Sequence, residues 1–501
     1  MRICLLDHPR LISEADFEDI INAPLSSSLF TGYAASVLSK HGFQVEVIDA
    51  HLSGWIAAET IQTLAGERFD LLGVNLIYSW DETASSLSML SQLKAQHPQT
   101  HLTLFGYYPT FAYQDLLKTY PFIDSIIIGE VEGTILELSS KLKEGKGKRG
   151  KGFLPAIKGL AYRPGDRIIR TSPRPLRPDL DSLPFPARSD LSKLKGIHPF
   201  ILGSRGCWNN CSFCHLNRFY RRCWRGRSPL NIVTEIEEVL NQMGGDYIYF
   251  ADANFFGPGK AGTERARDIA ELIKDRLPGI HFGLETRSPD IKDPTVIEKL
   301  VEAGLSHIFL GVESGSDRVL KEIRKGTSLE ENRRAVDILN QFTGLKIYLG
   351  FIMFTPDSTL QDVKANLQFL KETGLMNSPS ATAHLLYHPL RLLKGSQAYH
   401  DYLAEGRADL SSFGGYEAKY TYLHPEIAAL AEFAGQNSKA LLAQLRKQRA
   451  LPPEDRRRQE VLWRSSARED CLRKPDQFSD RLNSLLIKSF EEAMARIALN
   501  A

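Results

Sequence analysis

Three cysteines fall within eight residues: Cys207, Cys211 and Cys214, in the run Gly206-Cys207-Trp208-Asn209-Asn210-Cys211-Ser212-Phe213-Cys214. The C-x3-C-x2-C spacing puts three thiolates on one short loop, and Cys sulfur is the donor that holds iron–sulfur clusters. Three thiolates can hold three irons of a [4Fe–4S] cube and leave the fourth open, the feature that separates catalytic from structural metal sites. A zinc knuckle could use the same cysteines with His215 or Cys223. Structural zinc sites, however, pair C-x2–4-C with a second pair farther along the chain, and none is visible. A disulfide framework suits a small secreted chain, not 501 residues with six cysteines. Cys4, Cys223 and Cys471 are scattered and read as buried or incidental thiols.

Such a loop needs a scaffold. A chain of 501 residues is too long for one core and implies about two to four domains. Hydrophobic residues at 43% and charged residues at 24% place it among ordinary globular proteins. A net charge of +2 supplies no global field for nucleic acid or membrane. No apolar run is long enough to span a bilayer. Met1–Asp7 reads as a strand and not as a signal sequence, so a reducing cytoplasm is the expected compartment. Basic residues gather between Lys141 and Arg227, notably at Lys146-Gly147-Lys148-Arg149-Gly150-Lys151 and Arg221-Arg222. An RNA patch or a site for an anionic cofactor is conceivable there, but Gly with Lys reads first as a solvated linker.

Periodicity divides the chain into blocks. Residues 1–142 alternate short apolar strands (Ile3–Asp7, Gln44–Asp49, Leu71–Leu76, Leu102–Phe105, Ser125–Ile128) with amphipathic helices, which implies a doubly wound parallel sheet. Such sheets bind ligands beyond the carboxyl ends of their strands. Residues 143–195 read as a linker, with a hairpin turning at Arg163-Pro164-Gly165-Asp166 and an extended tether at Pro173, Pro175, Pro178, Pro184 and Pro186. Residues 196–386 show six strands (Phe200–Gly203, Tyr247–Phe250, His281–Leu284, His307–Leu310, Lys346–Phe351, Ala381–Leu386) alternating with helices, with Cys207 just after the first. Residues 387–501 read as mostly helical, with Tyr416, Tyr420 and Tyr422 either lining a pocket or packing a domain junction.

The cysteine loop, with Phe213 just before its last cysteine, resembles the cluster loop of the radical S-adenosylmethionine (radical SAM) enzymes. Ala23-Pro24-Leu25, Thr31-Gly32-Tyr33, Lys40-His41-Gly42-Phe43-Gln44-Val45, Phe105-Gly106-Tyr107-Tyr108-Pro109-Thr110 and Ile128-Gly129-Glu130-Val131-Glu132-Gly133-Thr134 look like the N-terminal half of its cobalamin-binding members. The resemblance implies an α/β fold with a flavodoxin- or Rossmann-like cobalamin domain, a partial (β/α)6 barrel and a C-terminal extension capping it. It implies a [4Fe–4S] cluster on Cys207, Cys211 and Cys214. It also implies SAM near Phe213, Asp252, Asn254, Arg287, Gly311, Glu313 and Ser314. Gly311-Val312-Glu313-Ser314-Gly315 resembles the family's G-x-E-S-G element. Cobalamin would meet Gly106, Tyr107, Tyr108, Pro109, Thr110, Gly129, Glu130, Glu132 and Thr134. Asp49-Ala50-His51-Leu52-Ser53-Gly54 matches the D-x-H-x-x-G pattern of His-ligated cobalamin proteins, but follows the second strand where that pattern follows the first. His51 is therefore read as a chance match. Phe354 stands where relatives carry glycine, and either narrows the adenine pocket or belongs to the core.

The implied activity is C-methylation: a 5′-deoxyadenosyl radical activates an sp3 carbon, and methylcobalamin donates the methyl group. The implied partners are a small-molecule substrate and an electron donor such as flavodoxin or ferredoxin. The rival readings are a cobalamin-dependent cyclase, oxidase or rearrangement enzyme, a tRNA-modifying radical SAM enzyme, and a zinc-stabilised binding protein with a vestigial loop. The chain shows no small β-barrel RNA module, which argues against nucleic acid.

Overall fold

The computed structural model describes residues 1–10, 29–78, 82–145, 152–188, 199–410, 415–448 and 477–500. Ala23-Pro24-Leu25, the basic run from Lys146 to Lys151 and Cys471 lie outside the described residues. The described residues divide into two compact units, one built from Met1–Phe200 and Leu410–Tyr416, the other from Ile201–Asp409 with residues 417–448 and 477–500.

In the first unit, Ile3, Cys4, Leu5 and Leu6 form an unbroken apolar run, which suits a strand covered on both faces. That strand, β1 (Arg2–Asp7), is followed by α1 (Phe30–Lys40), β2 (Gln44–Asp49), α2 (Ala57–Ala65), β3 (Leu71–Asn75), α3 (Glu82–Gln96), β4 (His101–Phe105), α4 (Tyr107–Thr119), β5 (Ser125–Ile127) and α5 (Val131–Glu144). The strands β1 to β5 pair in parallel in the order β2-β1-β3-β4-β5. The crevice where the strand order reverses therefore opens beyond the carboxyl ends of β1 and β3. The hairpin expected in the linker forms as β6 (Leu160–Tyr162) and β7 (Ile169–Arg170). It is not free-standing: β6 pairs antiparallel with β5, and β7 with β6, extending the sheet to seven strands.

The second unit begins with β8 (Phe200–Ile201), β9 (Ser204–Arg205), α6 (Leu216–Phe219) and β10 (Arg225–Gly226). Next come α7 (Pro229–Met243), β11 (Tyr247–Phe250), α8 (Gly259–Arg276), β12 (His281–Arg287), α9 (Pro294–Glu302), β13 (Leu305–Glu313), α10 (Asp317–Glu322), α11 (Leu329–Asn340), β14 (Lys346–Phe351) and α12 (Leu360–Thr373). The sheet order is β14-β13-β12-β11-β8, with β11 through β14 parallel. Its strands interleave with helices around a core that includes Ile248, Phe250, Phe282, Leu284, Ile308 and Leu310.

The sixth strand expected at Ala381–Leu386 is instead a helix, α13 (Pro379–Tyr387). Ser378 caps it by accepting from the Ala381 N–H, and Pro379 takes the first helical turn, where its missing N–H costs nothing. All that remains of a sixth strand is one parallel bridge between Phe354 and Pro389. The chain continues as β15 (Leu392–Leu393), α14 (Gln397–Ala404), β16 (Ala408–Asp409), β17 (Glu417–Tyr420), α15 (Pro425–Gln448) and α16 (Gln477–Asn500). The small antiparallel sheet β15-β17-β16 was not foreseen. Ile427, Leu430 and Phe490 carry α15 and α16 onto the core of the second unit, and Phe354 belongs to that core with no exposed surface.

Candidate active site

The cysteine loop leaves the sheet through β9 and returns through β10, whose antiparallel pairing closes its base. Gly206 opens the loop at φ 88°, and a Cβ there would overlap the carbonyl oxygen of Cys223 and crowd Tyr220. Glycine is thus demanded at this position. Within the loop, Asn217 Nδ2 donates to the Cys211 carbonyl at 2.8 Å, and the Asn209 amide donates to Cys211 Sγ at 3.0 Å. Two later segments hold the loop from outside. The Ser212 N–H donates to Ile323 O at 2.8 Å, and the Ala398 N–H of α14 donates to Ser212 O at 2.8 Å. Phe213 packs against the satellite core of Val319, Ile323, Ile352 and Leu392.

Burial raises the thiols of Cys207 and Cys211, an effect partly opposed by the positive charges of Arg287 and Lys325. Cys214 is pushed up to about 12, first by burial and then by Cys211. Among the described residues, no three His, Cys, Asp or Glu side chains form a group spaced to hold a single metal ion. Cys223, half-buried, is a free thiol.

Beside the loop stands a small group of charges. Lys325 Nζ donates to Glu313 Oε1 at 2.6 Å, and the Asn209 amide donates to Lys325 O at 2.6 Å. Burial alone would lower the Lys325 pKa, but Glu313 and Cys211 outweigh it and hold the ammonium above its ordinary value. Arg287, at the end of β12, lies with its guanidinium 5.3 Å from the Trp208 ring centroid, and its buried Nε has no hydrogen-bond partner. Gly311 makes room for the ion pair, since a Cβ there would come within 2.8 Å of Lys325 Nζ and 3.1 Å of Glu313 Oε1.

Other residues expected near SAM are committed elsewhere. Asp252 is fully buried; Oδ1 accepts from the Gly203 N–H and Oδ2 from Ser204 Oγ, both at 2.7 Å. Burial pushes its carboxyl up to about 6, against the pull of Arg265. Asn254 donates to Asp290 Oδ2 at 2.8 Å and accepts from Thr286 at 3.2 Å. Ser314 Oγ donates to Asn366 Oδ1 at 2.7 Å. These three side chains tie strand ends together. Lys325 and Asn209 received no role from the sequence, because only the tertiary fold brings them to the cysteines.

In the first unit, the carboxyl ends of β1 and β3 carry a polar network absent from the sequence expectations. Asp7 Oδ1 accepts from Thr31 Oγ1 at 2.7 Å and from Asn75 Nδ2 at 3.1 Å. Burial, then Asp49, pushes the Asp7 carboxyl up to about 7. His8 Nε2 accepts from the Ile77 N–H at 3.0 Å. Gly106 caps α4 at φ 113°, and a Cβ there would come within 2.7 Å of Asn75 Oδ1, so the chain itself crowds this glycine. Tyr107, Tyr108, Pro109 and Thr110 are buried on the first turn of α4, and Thr110 Oγ1 accepts from the Gly129 N–H at 3.0 Å. Gly129 has φ 85° with open space beside it. Glu130 stands at the N-terminal boundary of α5 without a capping side-chain bond, and Glu132 is buried in its first turn. Thr134 is committed to Lys158 O and Arg174 Nε, at 3.1 and 2.8 Å. Tyr108, Tyr78 and Tyr416 form a cluster with ring centroids 4.7 to 5.4 Å apart. His51 follows β2, the edge strand, with Nδ1 3.3 Å from Arg10 O.

The B12-binding domain family matches residues 31–139, and the radical SAM superfamily matches residues 201–370. This chain is a radical SAM enzyme with a B12-binding domain. It is 27% identical over 349 residues to an uncharacterized methyltransferase of Pyrococcus horikoshii, covering 68% of this chain and 72% of that one. It is also 27% identical over 357 residues to the anaerobic magnesium-protoporphyrin IX monomethyl ester cyclase of Rubrivivax gelatinosus, covering 68% of this chain but only 61% of that one. In fold it matches OxsB, a cobalamin-dependent SAM radical enzyme solved with aqua-cobalamin and SAM bound. The TM-score is 0.70 at 17% identity, over 98% of this chain and 84% of that one.

The two domains imply a [4Fe–4S] cluster, SAM and cobalamin. The second unit fits the first of these: three thiols on one loop, a side-chain amide donating to Cys211 Sγ, and the cations Lys325 and Arg287 to offset thiolate charge. Arg287 Nε, buried without a hydrogen-bond partner, suits the carboxylate of SAM. The first unit offers a sheet with its switch point between β1 and β3 and an open-sided glycine at Gly129. Among the described residues no helix is long and apolar enough to cross a membrane.

Proposed function

We propose that this enzyme is a cobalamin-dependent C-methyltransferase acting on an unactivated carbon of a small molecule. The observation that carries the reading is the pairing, in one chain, of the Cys207–Cys211–Cys214 loop and its neighbouring Arg287, Glu313 and Lys325 with a B12-binding domain. The methyltransferase relative supports it. When bound, the cluster supplies the electron that splits SAM into methionine and a 5′-deoxyadenosyl radical, and cobalamin supplies the transferable methyl group. Arg287 would pair with the SAM carboxylate, and Glu313 would accept from its amino group. Gly129 and Glu130 would border the corrinoid, alongside the buried first turn of α4. Methyl transfer to a carbon radical requires no general base, so the protein's work is to orient groups and exclude water. The reading calls for a cytoplasmic setting and a low-potential electron donor of the flavodoxin or ferredoxin kind.

A second reading, a cyclase or other oxidation without methyl transfer, is favoured by the likeness to the Rubrivivax enzyme. The two differ in one product. Anaerobic turnover with SAM, reductant and hydroxocobalamin is expected to release S-adenosylhomocysteine only when cobalamin is present. 5′-Deoxyadenosine without S-adenosylhomocysteine would favour the cyclase.

A further inference from the structure

Four non-glycine residues among those described have left-handed backbones: Arg221, Arg222, Glu313 and Arg324, with φ between 51° and 69°. All four lie in the cysteine loop or in the two segments that carry Glu313 and Lys325. Such conformations are uncommon outside glycine and gather where geometry is held for function. Two of the four, Glu313 and Arg324, belong to the segments that carry one ion pair beside the cysteine loop. Arg324 and Gly326, at φ 66°, bracket Lys325 in a tight turn after α10. That turn is fixed to the cysteine loop by Ser212 N–H to Ile323 O, and by the Asn209 amide, which also donates to Cys211 Sγ. These bonds hold the backbone of the turn against the cysteine loop, the bond to Glu313 Oε1 holds the ammonium, and the residue is 4% exposed.

A cluster becomes more negative by one charge when reduced, so a fixed cation beside it favours the reduced form and a fixed anion opposes it. Net charge, hydrogen bonds to sulfur and solvent exposure are the protein's means of setting cluster potential, and charges act strongly where water is excluded. We infer that Lys325 and Glu313 form a charge couple that sets the reduction potential of the cluster held by Cys207, Cys211 and Cys214. Lys325 raises the potential, Glu313 restrains it, and Asn209 holds the couple in place. Lys325 is a tuning residue, acting on the cluster through its charge. This inference rests on the cysteine loop holding a [4Fe–4S] cluster.

The test is a potentiometric titration, followed by electron paramagnetic resonance, of the full-length chain reconstituted anaerobically with iron and sulfide and reduced by dithionite through mediators. Lys325→Met is expected to lower the potential enough to cut the reduced-to-oxidised ratio at the wild-type midpoint at least tenfold, or 59 mV for a one-electron couple. Glu313→Gln is expected to move it the opposite way, Lys325→Arg to leave it within about threefold of wild type, and the double variant Lys325→Met/Glu313→Gln to fall between the single ones. Two single variants that shift the potential in the same direction, or leave it unmoved with full iron content, would overturn the couple. If Lys325→Met fails to hold a cluster, Glu313→Gln decides, and an unraised potential there overturns the inference. A wild-type chain that takes up no iron and sulfide overturns the cluster reading itself, and the couple with it.

Discussion

Lys325 Nζ lies 2.6 Å from Glu313 Oε1, with the two side chains 5% and 12% exposed. A pair this buried gains little from being a pair, because desolvation offsets much of the attraction, but breaking it strands a charge. Lys325→Ala is therefore expected to cost about 3–5 kcal/mol, and Lys325→Ala/Glu313→Ala less than the sum of the single changes. Urea denaturation of the metal-free chain measures this; additive costs would mean that the two groups do not interact.

Gly206→Ala places a side chain on a left-handed residue against the Cys223 carbonyl. The backbone alone costs roughly 1–2 kcal/mol, before the overlap is counted. The loop is expected to open, with iron content after reconstitution falling well below wild type while the far-ultraviolet circular dichroism stays unchanged. Full iron content in this variant would contradict the loop geometry.

Asp252 titrates near 6 in the folded chain, above the 3.8 of an ordinary aspartate, mainly because it is buried. The folded state therefore holds the proton more tightly than the unfolded one. Its contribution to stability is full below about pH 4 and is lost as pH rises through 6, a change of about 3 kcal/mol. Urea midpoints from pH 4 to 7 are expected to show this decline in the wild type and a shallower one in Asp252→Asn. Equal slopes would remove Asp252 as the cause.

Phe354 packs near Tyr422 and Phe490, with ring centroids 6.4 Å away in each case. Phe354→Ala is expected to destabilise the chain by about 3–5 kcal/mol through the cavity it leaves, with SAM affinity unchanged. A loss of SAM affinity without a loss of stability would return Phe354 to the ligand pocket.

These residues show what a sequence can reveal. The apolar runs of β1, β3 and β4 and the spacing of the cysteines are local patterns, so the strands and the loop were legible. Ala381–Leu386 was misread because a short apolar run fits strand or helix equally, and the deciding signal was the Ser378-Pro379 cap ahead of it. Asp252 and Asn254 stand beyond a strand end, where a polar side chain that binds a ligand and one that ties neighbouring segments together look alike. Lys325 was visible as part of Lys325-Gly326-Thr327, but its bond to Glu313 is a tertiary fact, as is the Asn209 amide it shares with Cys211.

Methyl transfer by way of cobalamin is the central claim, and one anaerobic incubation tests it most directly. Reconstituted chain, SAM, a reductant and a candidate substrate are incubated with and without hydroxocobalamin, and both nucleoside products are quantified by mass spectrometry. S-adenosylhomocysteine and 5′-deoxyadenosine are expected together, the first lost when cobalamin is omitted and both lost in Cys211→Ala. Production of 5′-deoxyadenosine alone, with cobalamin bound, would contradict the methyltransferase and leave a radical enzyme of another outcome.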